Sequence, residues 1–106
     1  MKTKINQFDD QGLRQGPWEW CQENGNLIWK GSFLNDERIG IWEWYRENGN
    51  LKWKGSFLNG ERIGHWEWYW VNGNIMEKSS WLNGKQVGTC EVYNEDETLE
   101  QVIYYH

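Results

Sequence analysis

The sequence predicts an all-β protein, an elongated, twisted antiparallel meander of β-hairpin repeats lying in a single-layer sheet. Three observations carry this reading. Gly16, Gly40, Gly64 and Gly88 stand 24 residues apart each time, and a fixed period of that length marks stacked supersecondary units. Asn-Gly or a close equivalent recurs twice in each period, and that dipeptide favours the left-handed backbone of a tight hairpin turn. The segments between the turns are short and rich in Trp, Tyr, Phe and Ile, and the 106 residues contain no alanine, so sheet surfaces suit them better than helices.

Taken in order, residues 1–10 lead into a half-repeat, and a first strand around Lys4 to Phe8 is expected to pair with the strand after it. The array itself opens at a turn, since Gln11 to Gly16 matches Asn59 to Gly64 in position. One set of turns is Asn24-Gly25, Asn48-Gly49 and Asn72-Gly73; the other is Asn35-Asp36, Asn59-Gly60 and Asn83-Gly84. Two strands per repeat give eight to ten strands in all and no helix longer than a turn. A single domain over residues 1–106 is expected, with repeats at about 16–39, 40–63 and 64–87 and half-repeats or caps at 1–15 and 88–106. Asp96-Glu97-Thr98-Leu99 stands where the next Asn-Gly-Asn-Leu would be, and Gln101 to His106 reads as a closing edge strand. Terminal repeats are commonly atypical because they cap the stack.

A two-residue turn at Asn48-Gly49 makes Trp44 face Trp53, Glu43 face Lys54, Trp42 face Gly55 and Tyr45 face Lys52. Aromatic and opposite-charge pairs across strands each contribute roughly 0.2–1 kcal/mol, and a ring over a strand glycine stabilises it further. The first repeat gives the same set: Trp20 with Trp29, Glu19 with Lys30, Trp18 with Gly31. The third keeps Glu67 with Lys78 but sets Trp68 against Glu77 and Trp66 against Ser79. A two-residue turn at Asn59-Gly60 makes Gly55 face Gly64 and Trp53 face Trp66. It also puts Arg62 on the tryptophan side, unless a longer loop or a bulge shifts that stretch by one residue; the face of Glu61 to Ile63 stays open.

Trp53-Lys-Gly55-Ser-Phe57-Leu-Asn-Gly60-Glu-Arg-Ile-Gly64-His-Trp66 resembles the MORN repeat, with its aromatic and glycine spacing. The copy from Trp29 departs in having Asp36 for the glycine, and the third has Ser79 and Trp81 where Gly55 and Phe57 stand. The Tyr-x-x-Asn-Gly-x-Leu stretch is most similar to the bacterial variant of the repeat, to which an antitoxin role is attached by analogy. The resemblance covers about residues 11–99. It implies a binding or dimerisation scaffold, with no catalytic activity in the repeat itself.

Alternation places Trp18, Trp20, Trp29, Trp42, Trp44, Trp53, Trp66 and Trp68 on one side, joined by Leu27, Phe33, Leu51 and Phe57. Either twist and coiling turn this face into the protein's own core, or part of it stays open to a partner; large exposed apolar patches usually mark interfaces, and Trp dominates interface hot spots. These eight tryptophans are the candidate binding residues, for a protein partner or a homodimer, or alternatively for a sugar or nucleobase stacked on the Trp platform. The opposite face carries Glu19, Glu43 and Glu67 alternating with Lys30, Lys54 and Lys78, plus Tyr45 and Tyr69, and reads as a solvated, charge-paired surface.

The 10 Trp are the anomaly of the composition, and the apolar total of 38% is low for a globular domain until the 12 Gly are counted with it. A net charge of −5 without Lys/Arg clusters speaks against nucleic acid and anionic membrane as partners. His65 and His106 are the only histidines, and no Cys or His pair has metal-ligand spacing. No nucleophile–base motif or phosphate loop is present, so no metal, cofactor or enzymatic activity is expected. Cys21 and Cys90 belong to the first and last repeats. Two free thiols and the lack of a signal-like N-terminal apolar run suggest the cytoplasm.

Overall fold

The computed structural model describes residues 5–106, which form one nine-stranded antiparallel sheet in simple sequence order. The strands are β1 (Gln7–Phe8), β2 (Arg14–Cys21), β3 (Leu27–Leu34), β4 (Glu37–Tyr45), β5 (Leu51–Leu58), β6 (Glu61–Tyr69), β7 (Ile75–Leu82), β8 (Lys85–Tyr93) and β9 (Leu99–Tyr105). No helix occurs among the described residues. Lys4, expected in the first strand, lies outside them; of that strand Gln7 and Phe8 pair with Gln15 and Arg14. The sheet measures 48 × 35 × 22 Å, and its smallest dimension is twice the roughly 10 Å spacing of packed sheets, so the single layer is strongly bent.

The two turn signals give two different turns. At Asn59-Gly60 both central residues have positive φ, 51° and 80°, the type I′ geometry of a two-residue hairpin. Asn83-Gly84 repeats it at 49° and 79°, and Asn35-Asp36 at 51° and 67°. Asp36 replaces glycine there because its Oδ1 accepts 2.8 Å hydrogen bonds from both the backbone N–H and the Nε of Arg14. Each of these turns also ties to the repeat before it, with Gly60 N donating to Arg38 O at 3.1 Å and Gly84 N to Arg62 O at 3.0 Å.

At Asn48-Gly49 only the glycine is left-handed, at 89°. Gly49 N donates to Arg46 O and Arg46 N to Asn50 O, a three-residue loop ending in a left-handed glycine, not the two-residue turn expected from the sequence. Tyr45 therefore pairs with Leu51, not Lys52, and a bulge next to Trp44 restores the expected register beyond it. Trp44–Trp53, Glu43–Lys54 and Trp42–Gly55 all pair as expected, as do Trp68–Glu77 and Trp66–Ser79 in the third repeat. The same shift takes Leu27 and Leu51 off the tryptophan side: they pair with Cys21 and Tyr45 and are absent from the aromatic cluster.

Beyond Asn59-Gly60 the register slips by two residues after Ser56–Ile63, so Trp53 faces Trp68 and not Trp66, and Gly55 does not face Gly64. The slip follows from Gly64, whose φ of 68° no bulky residue adopts cheaply. A two-residue slip leaves the alternation of faces intact, where a one-residue slip would invert it. Arg62 accordingly stays on the tryptophan side. Its guanidinium lies 4.7 Å from the Trp66 ring and 4.8 Å from Trp81, and Arg38 stacks likewise over Trp42 at 4.8 Å, contacts worth about 0.5–2 kcal/mol as burial increases.

The core is built on this same face, without a second layer among the described residues. Trp18, Phe33, Trp42, Phe57 and Trp66 are buried against one another, with Trp29, Trp53, Trp68 and Trp81 packed half-buried around them. The expected partner glycine is not the one each ring covers. Trp42 pairs with Gly55 but lies over Gly31 on its other side, where a Cβ would sit 2.1 Å from the ring. Trp66 likewise covers Gly55, where a Cβ would sit 2.0 Å from the ring. Each indole N–H is satisfied in that pose, Trp42 donating to Ser32 O and Trp66 to Ser56 O at 3.1 Å.

Candidate partner-binding face

The bulges bring the tryptophans into two parallel rows. The outer row crosses five adjacent strands in register as Trp20, Trp29, Trp44, Trp53 and Trp68. Its first four rings stack in succession, with centroids 6.4 Å apart for Trp20–Trp29, 6.1 Å for Trp29–Trp44 and 5.6 Å for Trp44–Trp53. The inner row is Trp18, Trp42 and Trp66, which are 7%, 1% and 1% exposed. Of the eight candidate tryptophans, these three belong to the core and present nothing to a partner. Trp20 is 55% exposed, and Trp29, Trp44, Trp53 and Trp68 are half-buried.

The row ends where the repeat degenerates. Glu77 follows Trp68 in register and Val92 follows Glu77, so the aromatic strip occupies β2 to β6 and has no aromatic successor on β7 or β8. Beside Glu77 the buried Cys90 thiol donates to its Oε1 at 3.3 Å. Sequence reasoning missed Arg14, Arg38 and Trp81, which flank the inner row with Arg62, whose side it left open; the 24-residue recurrence of the arginines was the available signal.

The other face is not charge-paired as expected. Glu19, Lys30, Glu43, Lys54, Glu67, Lys78 and Glu91 do form one continuous row across seven strands. Yet among the described residues the one ion pair within 4.0 Å is Arg14–Asp36. The carboxylates accept from tyrosines two residues along instead, Tyr45 to Glu43, Tyr69 to Glu67 and Tyr93 to Glu91. Two shallow grooves of about 330 and 280 Å³ lie at equivalent places on this face, around Lys78 and Lys30. Among the described residues no three His, Cys, Asp or Glu gather where they could hold a metal ion.

Burial, then the Glu77 hydrogen bond, pushes the Cys90 thiol from its ordinary 9.0 to about 11. Burial and the neighbouring glutamates likewise raise the Tyr45 and Tyr69 hydroxyls. The fold thus holds all three groups neutral while the unfolded chain ionises first. Their contribution is fully present below about pH 9 and is lost as the pH climbs through 11 and beyond. Thermal melts should be level from pH 7 to 8.5 and fall above pH 9, less steeply in the Tyr45→Phe, Tyr69→Phe variant. A melting temperature that rises above pH 9 would contradict this.

Residues 38–59 and 62–83 match the family model of the MORN repeat variant. These two segments are MORN repeats. Each matched unit runs from a stacking arginine, Arg38 or Arg62, to the asparagine of a type I′ turn, Asn59 or Asn83, and so contains one three-residue hairpin. In the first MORN unit this spans the buried Trp42, the ladder residues Trp44 and Trp53, and the covered Gly55. Comparison with curated proteins returns no match. MORN repeats generally serve protein or membrane-lipid interaction and are a non-enzymatic repeat type. No helix among the described residues is long and apolar enough to cross a membrane.

Proposed function

We infer that the chain is a non-catalytic scaffold that binds a protein partner through the outer tryptophan row. The observation that carries this is the division of one face into two rows. The inner row is consumed by the fold, while the outer row runs across five strands with no layer above it among the described residues. Five half-open indoles in line give the rigid, amphipathic anchors that dominate protein interfaces. A small flat ligand suits the row less well, because neighbouring indoles already stack face to face at 5.6–6.4 Å, leaving no slot for an inserted ring. The net charge of −5 favours neither nucleic acid nor an anionic membrane over a protein. An inhibitor or antitoxin is a special case of such a binder, and only the family likeness speaks for it. The free thiols of Cys21 and Cys90 fit a cytoplasmic location.

The test is affinity capture with the tagged chain and with its Trp20→Ser, Trp44→Ser variant, folding being checked by circular dichroism. Proteins retained by the parent chain should be lost from the variant. The same proteins on both, at equal yield, would remove the outer row from the interface.

A further inference from the structure

Three arginines of the tryptophan face occupy one repeat position, Arg14, Arg38 and Arg62, with Gln86 in that place one repeat on. The first shows what the position binds. Arg14 holds Asp36, whose Oδ1 accepts from the Arg14 backbone N–H and Nε at 2.8 Å, while Asp36 N donates to Arg14 O at 3.1 Å. The same backbone bond puts Gly60 beside Arg38 and Gly84 beside Arg62, and a glycine supplies no carboxylate. Among the described residues no Asp or Glu oxygen lies within 4.0 Å of either guanidinium. A Cβ on Gly60 would meet nothing within 4 Å, so the space that Asp36 fills beside Arg14 is open beside Arg38. Beside Arg62 it is narrower, because Glu61 side-chain atoms lie 3.7–3.8 Å from where a Cβ of Gly84 would stand, without pairing to Arg62.

Aromatic rings hold both half-buried guanidiniums in place. Arg38 lies 4.8 Å from Trp42 and 5.2 Å from Phe57, and Arg62 lies 4.7 Å from Trp66 and 4.8 Å from Trp81. Stacking uses the flat sides of a guanidinium and leaves its N–H edge, the part that grips a carboxylate bidentately. A side chain already immobilised also loses less entropy on binding. Burial, then the like charges of Arg14 and Arg62, hold the Arg38 guanidinium below its ordinary pKa, the mark of a cation without a counter-ion.

We propose that Arg38 and Arg62 receive carboxylates from an acidic segment of the protein partner, in the place that Asp36 takes at Arg14. The inference rests on the tryptophan face being the partner surface, and it adds the chemistry of what lies there. Apolar side chains of the segment cover the outer tryptophan row, and its Asp or Glu residues reach the arginines. The chain is acidic overall, at −5, but Glu19, Glu43, Glu67 and Glu91 belong to the row on the opposite face, so the charge beside the tryptophans is locally positive. The two arginines stand on β4 and β6, two strands apart, and the carboxylates they take are therefore about 10 Å apart. A lipid phosphate fits the same N–H edge, but a surface of anionic lipid repels a chain of net negative charge as a whole, whereas one short segment meets only the arginines.

Fluorescence anisotropy with a dye-labelled random copolymer of glutamate and tyrosine tests this on the 106-residue chain, since the copolymer offers carboxylates and rings at many spacings. Two variants are compared with the parent, each checked for unchanged circular dichroism. Arg38→Gln installs the residue that the chain itself uses at position 86. Gly60→Asp keeps every arginine and gives Arg38 a carboxylate from within the chain, as Asp36 does for Arg14; it carries the test alone if Arg38→Gln does not fold. The parent should bind the copolymer, less tightly as salt is added, and both variants should bind it at least about tenfold more weakly. A parent that ignores the copolymer overturns the inference. So does binding that is lost in Trp20→Ser, Trp44→Ser yet unchanged in Gly60→Asp, a result that leaves the tryptophan face standing as the binding surface. Phosphatidylserine vesicles bound as tightly as the copolymer, and released by Gly60→Asp, would assign the arginines to a membrane surface and overturn it too.

Discussion

Gly55→Ala is expected to destabilise the sheet by about 3 kcal/mol, at the upper end for one added methyl group in a packed core. The new Cβ would lie 2.0 Å from the Trp66 ring. That ring cannot slide away, since its N–H is bonded to Ser56 O and it is wedged between Trp53 and Phe57 at centroid distances of 5.0 and 5.1 Å. The molecule contains its own control. One repeat on, the position of Gly55 is Ser79 and that of Trp66 is Cys90, both buried. Where the covering ring is gone, a side chain returns underneath. Trp66→Cys alone should cost about 3–5 kcal/mol, but within that background Gly55→Ala should cost under about 0.5 kcal/mol. The coupling, about 2–3 kcal/mol by urea denaturation of the four chains, would be absent if the glycine served only backbone flexibility.

Trp42→Ala is expected to cost about 3–5 kcal/mol, and Trp20→Ala under about 1 kcal/mol. Both are tryptophans of the same face, but they belong to different rows and differ in exposure, 1% against 55%. Against a typical total stability of about 5–15 kcal/mol, the first change leaves a chain near its unfolding limit and the second leaves it nearly untouched. Equal losses at the two positions would mean that the outer row is part of the core, and the binding proposal would fall with it.

Much of this was legible in the residues. The 24-residue glycine period gave the hairpin array, and the pairs Trp44–Trp53, Glu43–Lys54 and Trp42–Gly55 were readable from the turn signal. What escaped was bulge geometry. Asn48-Gly49 and Asn59-Gly60 are the same dipeptide, yet one closes a three-residue loop and the other a two-residue turn, because only Asn59 takes a left-handed backbone. The local difference is the asparagine after the glycine, since Asn50 N donates to Asn48 Oδ1 at 2.9 Å where Glu61 makes no such bond to Asn59. The two-residue slip at Gly64 moved Trp53 from Trp66 to Trp68, so the tryptophans form two rows of different burial where alternation alone gives one undivided face. Parity survived the slip, which is why the eight candidate tryptophans share a face as alternation gives it, while Trp53 pairs with Trp68 and not with Trp66. Arg62 reads as a flaw in the register because a guanidinium on an aromatic face is out of place until its rings are found stacked against it.

The most direct test of the two-row account is oxidative footprinting of the individual tryptophans, first on the free chain and then on a captured complex. In the free chain Trp20 should oxidise fastest, with Trp44 among the reactive set, and Trp18, Trp42 and Trp66 should resist while the fold is intact. In the complex, protection should appear at Trp20, Trp44 and their neighbours in the outer row. Protection confined to Tyr45 and Tyr69 on the opposite face, with Trp20 as reactive as before, would contradict the assignment of the binding surface.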